Sequence, residues 1–149
     1  RIKMALKITG LAEIQKALGK AGANMDEAID EAVRATAIKV LGNATMAIKA
    51  PSAGTWVTRY TTAGNPYDHI AAKEGESPNT DTGRLIGSIA LDHQKGQGVA
   101  YVGTNLEYGF YLETVQNRPF LDPAMAAEKK NFDKRMESAI NKQIKKARK

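Results

Sequence analysis

The chain has 149 residues, a length that fits one domain of ordinary size; 42% of the residues are hydrophobic and 6% aromatic. Aliphatic side chains must therefore supply most of the core. The chain contains no cysteine, which excludes disulfide frameworks, thiol nucleophiles and cysteine-based zinc sites. No apolar run approaches the roughly 20 residues of a membrane-spanning helix, and residues 1–9 do not resemble a signal peptide, so we expect no membrane partner.

The net charge of +6 is concentrated at the C-terminal end of the chain. The last eight residues contain no acid and five cations: Lys142, Lys145, Lys146, Arg148 and Lys149. This basic tail, residues 142–149, can contact DNA phosphates without sequence preference, so a nucleic-acid-binding module is one alternative function. The other interpretation is a solvated helix end whose cations complement the helix dipole.

The first half of the chain predicts a strand followed by helices. Apolar residues alternate with polar ones at Ile2, Met4, Leu6 and Ile8, which is typical of a strand with one buried face. Helical spacing then predicts a short helix at Leu11, Ile14 and Leu18. A long helix follows, ended by Pro51, with a narrow apolar stripe at Met25, Ile29, Val33, Ala37, Val40, Ala44 and Ile48.

Residues 51–80 differ from the rest of the chain, because they are rich in proline, glycine, serine, threonine and asparagine. A loop of this length in a compact domain is usually functional or ordered by a partner, so we predict a long extended arm. It holds three aromatic residues, Trp56, Tyr60 and Tyr67, and residues 56–60 alternate like a short strand. These aromatics are candidate subunit contacts. Alternatively, they fold back over the core of their own domain.

The second half predicts a turn at residues 81–88, two strands joined by a turn at 95–98, and a short helix over 106–113. Asp122 and Pro123 suit the start of a C-terminal helix. Its apolar face carries Met125, Phe132, Met136, Ile140 and Ile144. The whole pattern predicts a single α+β domain over residues 1–149: a small, largely antiparallel sheet packed with one long helix and a C-terminal helix, plus the arm.

Asp81-Thr82-Gly83 is the strongest enzymatic signal, because retroviral-type aspartic proteases use this tripeptide as half of a dimeric site. In those proteases an apolar strand precedes the aspartate, whereas polar residues 76–80 precede it here. We therefore interpret the tripeptide as a structural turn, in which an Asp81 or Thr82 side chain caps the turn that opens at Leu85. A dimeric aspartic protease remains an alternative.

Other chemistry has weak support in the sequence. Ser88, Asp92 and His93 are the residue types of a hydrolase triad, but no glycine-flanked nucleophile motif surrounds Ser88. No pair of histidines has the spacing of metal ligands. We therefore expect no catalytic residue, no metal and no cofactor.

Four motifs occur in a fixed order, at residues 10–18, 81–89, 102–113 and 118–124. This order resembles the phage tail-component family of lambda-like long-tailed phages, which is related to minor tail protein Z and the tail-completion group. The resemblance covers most of the chain except residues 51–78. The chain departs from the family pattern in two places, the inserted arm and the turn at residues 114–116.

The resemblance implies a non-enzymatic virion protein of the phage neck or tail, made in the host bacterial cytoplasm. Such a subunit forms a homo-oligomeric ring at the head-tail junction or tail top. Its implied neighbours are other neck and tail proteins, such as the stopper, the tail terminator or the tail tube.

The resemblance also implies roles for individual residues. It marks Asp81, Thr82 and Gly83 as a structural turn, and it marks a surface that maintains the fold or contacts another subunit: Tyr108, Tyr111, Glu113, Arg118, Pro119 and Phe120. We expect Arg118 to pair with Glu113, within a subunit or between subunits. The three-residue spacing of the two tyrosines also fits a core position, which we favour for one of them.

Overall fold

The structure, a computed structural model, describes residues 4–9, 23–50 and 52–147. Its elements in chain order are β1 (Met4–Thr9), α1 (Ala23–Lys49), β2 (Thr55–Tyr60), β3 (Pro66–Ala71), α2 (Arg84–Ser88), β4 (Ile89–Gln94), β5 (Val99–Thr104), α3 (Glu107–Thr114) and α4 (Asp122–Ala147). The predicted α+β class is confirmed, since helices combine with purely antiparallel sheets. Ile2 and the helix predicted at residues 11–18 lie outside the described residues.

Three strands form the main sheet in the order β1-β5-β4, and both neighbouring pairs are antiparallel. Strands β4 and β5 form the predicted hairpin, with their turn at residues 95–98. Ile8 on β1 lies opposite Ala100 on β5, and both side chains are buried. Lys7 and Thr9, which alternate with Ile8, are exposed. The period-two pattern of β1 thus places one face of the strand in the core.

Helix α1 lies on one face of this sheet and packs along α4. The predicted apolar stripe of α1 is confirmed, because all seven of its members are buried: Met25, Ile29, Val33, Ala37, Val40, Ala44 and Ile48. Ala37 and Ala44 have no exposed surface. Their small side chains allow the neighbouring elements to approach the helix axis closely.

The core divides into two apolar clusters. The larger one joins the main sheet to α1, and includes the first turn of α4 together with Phe120 and Leu121. The smaller one joins the start of α1 to the second half of α4 through Met25, Ile29 and Met136. Phe132 packs against both clusters. The predicted apolar face of α4 is therefore the face that contacts the rest of the chain.

A buried polar network crosses the contact between α1 and α4. The Arg135 guanidinium donates to Glu128 over 2.7 Å and to the Thr36 hydroxyl over 3.1 Å. Burial alone would raise the pKa of Glu128, but Arg135, with Asn131 and Asn43, holds that pKa below its ordinary value. Each polar group of this network therefore has a partner, which fixes the two helices in one register.

The predicted arm contains a β-hairpin, so the expectation of an extended loop is wrong for its central part. Strands β2 and β3 form a separate two-stranded antiparallel sheet. The turn between them is closed by the Thr61 N–H, which donates to the Asn65 carbonyl over 2.9 Å. Hydrogen bonds between β2 and β3 pair backbone N–H and C=O groups that would bond to water in a loop. The alternation in residues 56–60 was already typical of a strand.

A second buried carboxylate joins α1 to the β4–β5 turn. Asp30 on α1 lies 3.1 Å from the His93 Nε2 and accepts the Gly98 N–H over 3.2 Å. Burial alone would raise the pKa of Asp30, but the N–H groups of Gly96 and Gly98 and the His93 ring lower it below 3.8. The ionised carboxylate thus stabilises the contact between helix and turn.

Replacement of Asp30 by asparagine should lower the free energy of unfolding by about 1–3 kcal/mol at pH 7, because hydrogen bonds to a charged acceptor are lost. The pKa of Asp30 is lower in the folded chain, so its contribution is full above 3.8 and disappears as the pH falls through the folded-state value. Urea unfolding from pH 7 to about pH 2 should show the difference between wild type and Asp30→Asn shrinking. The control is exposed Asp92→Asn; a difference that stays constant would contradict the assignment.

Candidate functional site

The β2–β3 hairpin has two different faces. Cross-strand pairing places Trp56 opposite Ile70 and Tyr60 opposite Pro66, and strand alternation puts these residues on one face, the outer face. The other face, the inner face, carries Arg59 opposite Tyr67 and Val57 opposite His69. The two faces meet different surroundings, and this difference defines the candidate site.

The inner face is held by one carboxylate from outside the hairpin, that of Asp81. Arg59 donates to the Asp81 carboxylate over 2.6 Å, and the Tyr67 hydroxyl donates to it over 3.0 Å. The Nδ1 of His69 lies 3.8 Å from the same carboxylate. Burial and the Asp81 carboxylate raise the pKa of Tyr67. Asp81, predicted as part of a structural turn, therefore fixes the hairpin to that turn.

A second side chain, that of Asn79, holds the base of the hairpin. The Asn79 side chain accepts the Ser52 N–H over 3.0 Å and donates to the Ile70 carbonyl over 2.8 Å. Thr82 and Gly83 shape the turn that follows: the Thr82 hydroxyl accepts the Arg84 N–H over 3.4 Å, and Gly83 has a φ of 75°. A left-handed φ favours glycine, which explains that residue in the tripeptide.

The outer face of the hairpin exposes large aromatic surface. Trp56 is 67% exposed and Tyr60 is 69% exposed. The alternative that these aromatics cover the core of their own chain is therefore wrong for both. Tyr67 differs, because it lies on the inner face with its hydroxyl bound to Asp81. Solvent-exposed Trp and Tyr are the residue types that anchor protein interfaces.

Helix α3 exposes a second set of apolar side chains. Tyr108 is 41% exposed and Tyr111 is 50% exposed, so the expectation that one of them is a core residue is wrong. Phe110 and Val115 are exposed as well. The helix turns its small side toward the core instead: Gly109 is buried, and a Cβ there would lie 2.7 Å from a Thr104 methyl group. Close packing at this glycine leaves the tyrosines outside.

Glu113 and Arg118 do not form the predicted pair within the chain. The Glu113 carboxylate accepts the N–H groups of Phe120, Leu121 and Asp122 over 2.8 to 3.1 Å. It thereby satisfies unpaired donors at the start of α4, which attract a negative charge. The Arg118 guanidinium instead donates to the Gln116 side chain over 3.0 Å.

Phe120 is a core residue, so its assignment as a subunit contact is wrong. Its side chain has no exposed surface and belongs to the larger apolar cluster. The neighbouring Pro119 carbonyl accepts the Ser77 hydroxyl over 2.8 Å, which ties the junction before α4 to the end of the arm. Within the motif at residues 118–124, Pro119 and Phe120 therefore have structural roles inside the subunit.

A cleft of about 360 Å³ lies at the base of the hairpin, between residues 78–84 and α3. Its charged and aromatic lining consists of Arg59, His69, Asp81, Arg84, Tyr108 and Arg118. Burial raises the pKa of Tyr108, while Arg84 lowers it and Asp81 raises it. The cleft thus collects residues from three of the sequence motifs and from the arm.

The residues considered for catalysis are placed apart or are engaged elsewhere. The Ser88 hydroxyl donates to the Leu85 carbonyl over 2.7 Å and lies 2.6 Å from the Thr104 hydroxyl. His93 pairs with Asp30 at the other end of β4. No hydrogen bond joins Ser88 to His93 in the part of the chain that the structure describes. Within residues 4–9, 23–50 and 52–147, no cluster of potential ligands is placed to hold a metal ion.

The basic C-terminal residues largely continue α4, which extends to Ala147. Lys142 and Lys145 are exposed on this helix, and Lys146 lies in its last turn. Arg148 and Lys149 lie outside the described residues. Among the described helices, none is long and apolar enough to cross a bilayer.

Arg59 and Asn79 are the site residues that sequence reasoning missed. Both make contacts that depend on tertiary structure, since Arg59 reaches Asp81 across 22 positions and Asn79 joins Ser52 to Ile70. The one available signal was the alternation in residues 56–60, which places Arg59 on the face opposite Trp56 and Tyr60.

No known protein family, curated protein or solved structure matches this chain significantly. The function must therefore be argued from the residues of the site and from the order of motifs in the sequence.

Replacement of Glu113 by glutamine should lower the free energy of unfolding by about 2–4 kcal/mol, because three N–H groups lose a charged acceptor at a helix start. Urea unfolding followed by circular dichroism measures this loss. The matched control is Glu137→Gln on the exposed surface of α4, which should change stability by less than about 0.5 kcal/mol. Equal effects of the two substitutions would show that the Glu113 contacts contribute little.

Replacement of Asp81 by asparagine should loosen the hairpin without unfolding the core. Loss of the charged acceptor for Arg59 and Tyr67 should raise hydrogen exchange of the β2 and β3 amides about tenfold, which corresponds to roughly 1.4 kcal/mol. Amides of β5 should keep their exchange rates. Asp68→Asn, on the outer face, is the control. Unchanged exchange in the hairpin would contradict the fastening role of Asp81.

Proposed function

We propose that this chain is a structural virion protein of a tailed bacteriophage, a neck or tail-completion subunit that forms a ring at the head-tail junction or tail top. The order of the four motifs supports the phage assignment. The observation that carries the contact role is the hairpin itself, whose inner face is held by Asp81 and whose outer face exposes Trp56 and Tyr60.

A projecting hairpin suits a ring because ring closure needs two different surfaces, one on each side of the subunit. The outer face of the hairpin supplies one such surface. Both of its aromatics are more than two-thirds exposed, and burial of such side chains stabilises interfaces strongly. In this proposal the hairpin reaches a neighbouring subunit or the adjoining ring, whose candidates are the stopper, the tail terminator and the tail tube.

In this proposal, the fixed position of the hairpin matters as much as the exposure of its aromatic side chains. A mobile arm would lose conformational entropy when it docks, and this loss weakens binding. Asp81 and Asn79 hold the hairpin base in one position before any partner arrives. Preorganisation of this kind favours association, so the Asp-Thr-Gly motif contributes to assembly as a structural element and without chemistry.

The double variant Trp56→Ala/Tyr60→Ala should fold normally and fail in assembly. Truncation of one hot-spot anchor costs an interface about 2 kcal/mol or more, so we expect at least about a thirtyfold drop in ring formation or phage titre even if one of the two residues is such an anchor. Measurements are the oligomeric mass of the purified protein and complementation of a phage that lacks the gene. The control is Ile38→Ala/Met46→Ala, which removes apolar side chains exposed on α1.

Electron micrographs of the defective lysates would show where the subunit acts. Separate full heads and complete tails would indicate a joining role, and tails of abnormal length would indicate tail completion. Normal infectious particles from the Trp56→Ala/Tyr60→Ala variant, or from a chain lacking residues 54–77, would refute the contact role of the hairpin.

A further inference from the structure

The cleft at the hairpin base has an excess of positive charge. Three guanidinium groups line it, those of Arg59, Arg84 and Arg118, whereas Asp81 is its only carboxylate among the described residues. Its volume of about 360 Å³ holds roughly a dozen waters at about 30 Å³ each, which is enough room for an inserted side chain. The charge of this cleft is therefore not balanced from within the described residues.

Asp81 does not neutralise the two remaining arginines. Its carboxylate accepts hydrogen bonds from Arg59 and Tyr67 and lies near His69. Among the described residues, neither Arg84 nor Arg118 has a carboxylate at ion-pair distance. Arg84 is exposed at the mouth of the cleft. Two guanidinium groups thus lack an anionic partner in the described part of the chain.

Arg118, which lines the cleft, has donors that the described residues leave without a partner. Its Nε is buried and has no hydrogen-bond partner among the described residues, and Gln116 occupies only one of its terminal nitrogens. A buried donor without a partner is unfavourable, and more so when the group is charged. Glu113, the acid that precedes Arg118 in the sequence, cannot serve, because its carboxylate caps α4.

The chemistry of the missing partner follows from the guanidinium group. A guanidinium is a planar fork of five donors that matches the two oxygens of a carboxylate. We propose that this cleft binds an aspartate or glutamate side chain of an adjoining protein subunit, held by Arg84 and Arg118. The inference rests on the proposed function, because it makes the cleft the acceptor for an acidic residue at the contact beside the hairpin.

A protein carboxylate fits the surroundings better than a nucleic-acid backbone. A polyanion needs a continuous basic stripe, since its charges repeat every few ångströms. Here the arginines line one cleft instead of a continuous stripe, and Leu85 and Leu112 form part of its wall. Exposed Tyr108 and Tyr111 belong to the adjacent helix, and tyrosine is enriched in protein interfaces.

The test is a titration of the ¹⁵N-labelled full chain, followed at the arginine Nε–Hε resonances. The probes are acetyl-glutamate N-methylamide, its uncharged glutamine analogue and inorganic phosphate. We expect saturable shifts at Arg84 and Arg118 with the glutamate probe alone. Affinity should fall at least tenfold in Arg84→Gln and in Arg118→Gln, and should stay unchanged in the control Arg34→Gln.

Arg84 is exposed, so its substitution tests the site even if Arg118→Gln fails to fold. Absence of a saturable shift with the glutamate probe would overturn the proposal, and so would tighter binding of phosphate than of glutamate. Normal assembly by the Arg84→Gln variant would overturn the role of the cleft while leaving the hairpin proposal intact. Normal assembly by the Trp56→Ala/Tyr60→Ala variant would instead refute the contact role of the hairpin in the proposed function, whatever the titration shows.

Discussion

Helix α1 is the element against which both the main sheet and α4 pack, so the contacts of its apolar stripe decide the arrangement of the rest. Ala37 and Ala44 are fully buried in that stripe, between the larger Val33, Val40 and Ile48. Larger side chains at the alanines would separate the layers, since close-packed cores tolerate little added volume. The narrow stripe thus allows α1 to pack against both the main sheet and α4.

Carboxylates provide the connections that the apolar core cannot. Asp30 fastens the β4–β5 turn to α1, Glu128 joins α4 to α1, Glu113 caps α4, and Asp81 holds the hairpin. Each accepts hydrogen bonds from residues distant in sequence, and those bonds have the strength of a charged acceptor. Polar geometry of this kind fixes one register where apolar packing alone would permit several.

The surface around the hairpin has two features that do not help a single subunit to fold. Trp56 and Tyr60 expose large aromatic area, and Arg118 buries a donor without a partner. Exposed aromatic surface is unfavourable in water, and a buried donor without a partner is unfavourable in the fold. In the proposed assembly, a neighbour would cover the aromatics and supply an acid beside Arg118. The hairpin and the cleft are adjacent because Asp81 belongs to both. One contact with a neighbouring subunit would therefore satisfy both features.

Local periodicity was sufficient to predict the α+β class, the buried stripe of α1, the β4–β5 hairpin and the short helix α3. These features depend on the spacing of apolar residues and on turn chemistry within about ten positions. The arm was harder to predict, because its strands mix polar and apolar residues on both faces and gave little hydrophobic pattern beyond residues 56–60.

The sequence by itself determined the elements and the set of motifs, including a glutamate and an arginine that looked like a pair. Only the tertiary structure decided their partners: Glu113 caps α4, Arg118 turns to the cleft, and Phe120 enters the core. It also decided that Asp81 binds Arg59, 22 positions away. The physical reason is that a charged side chain pairs with whatever donor the fold brings within about 3 Å, and sequence separation does not limit that distance.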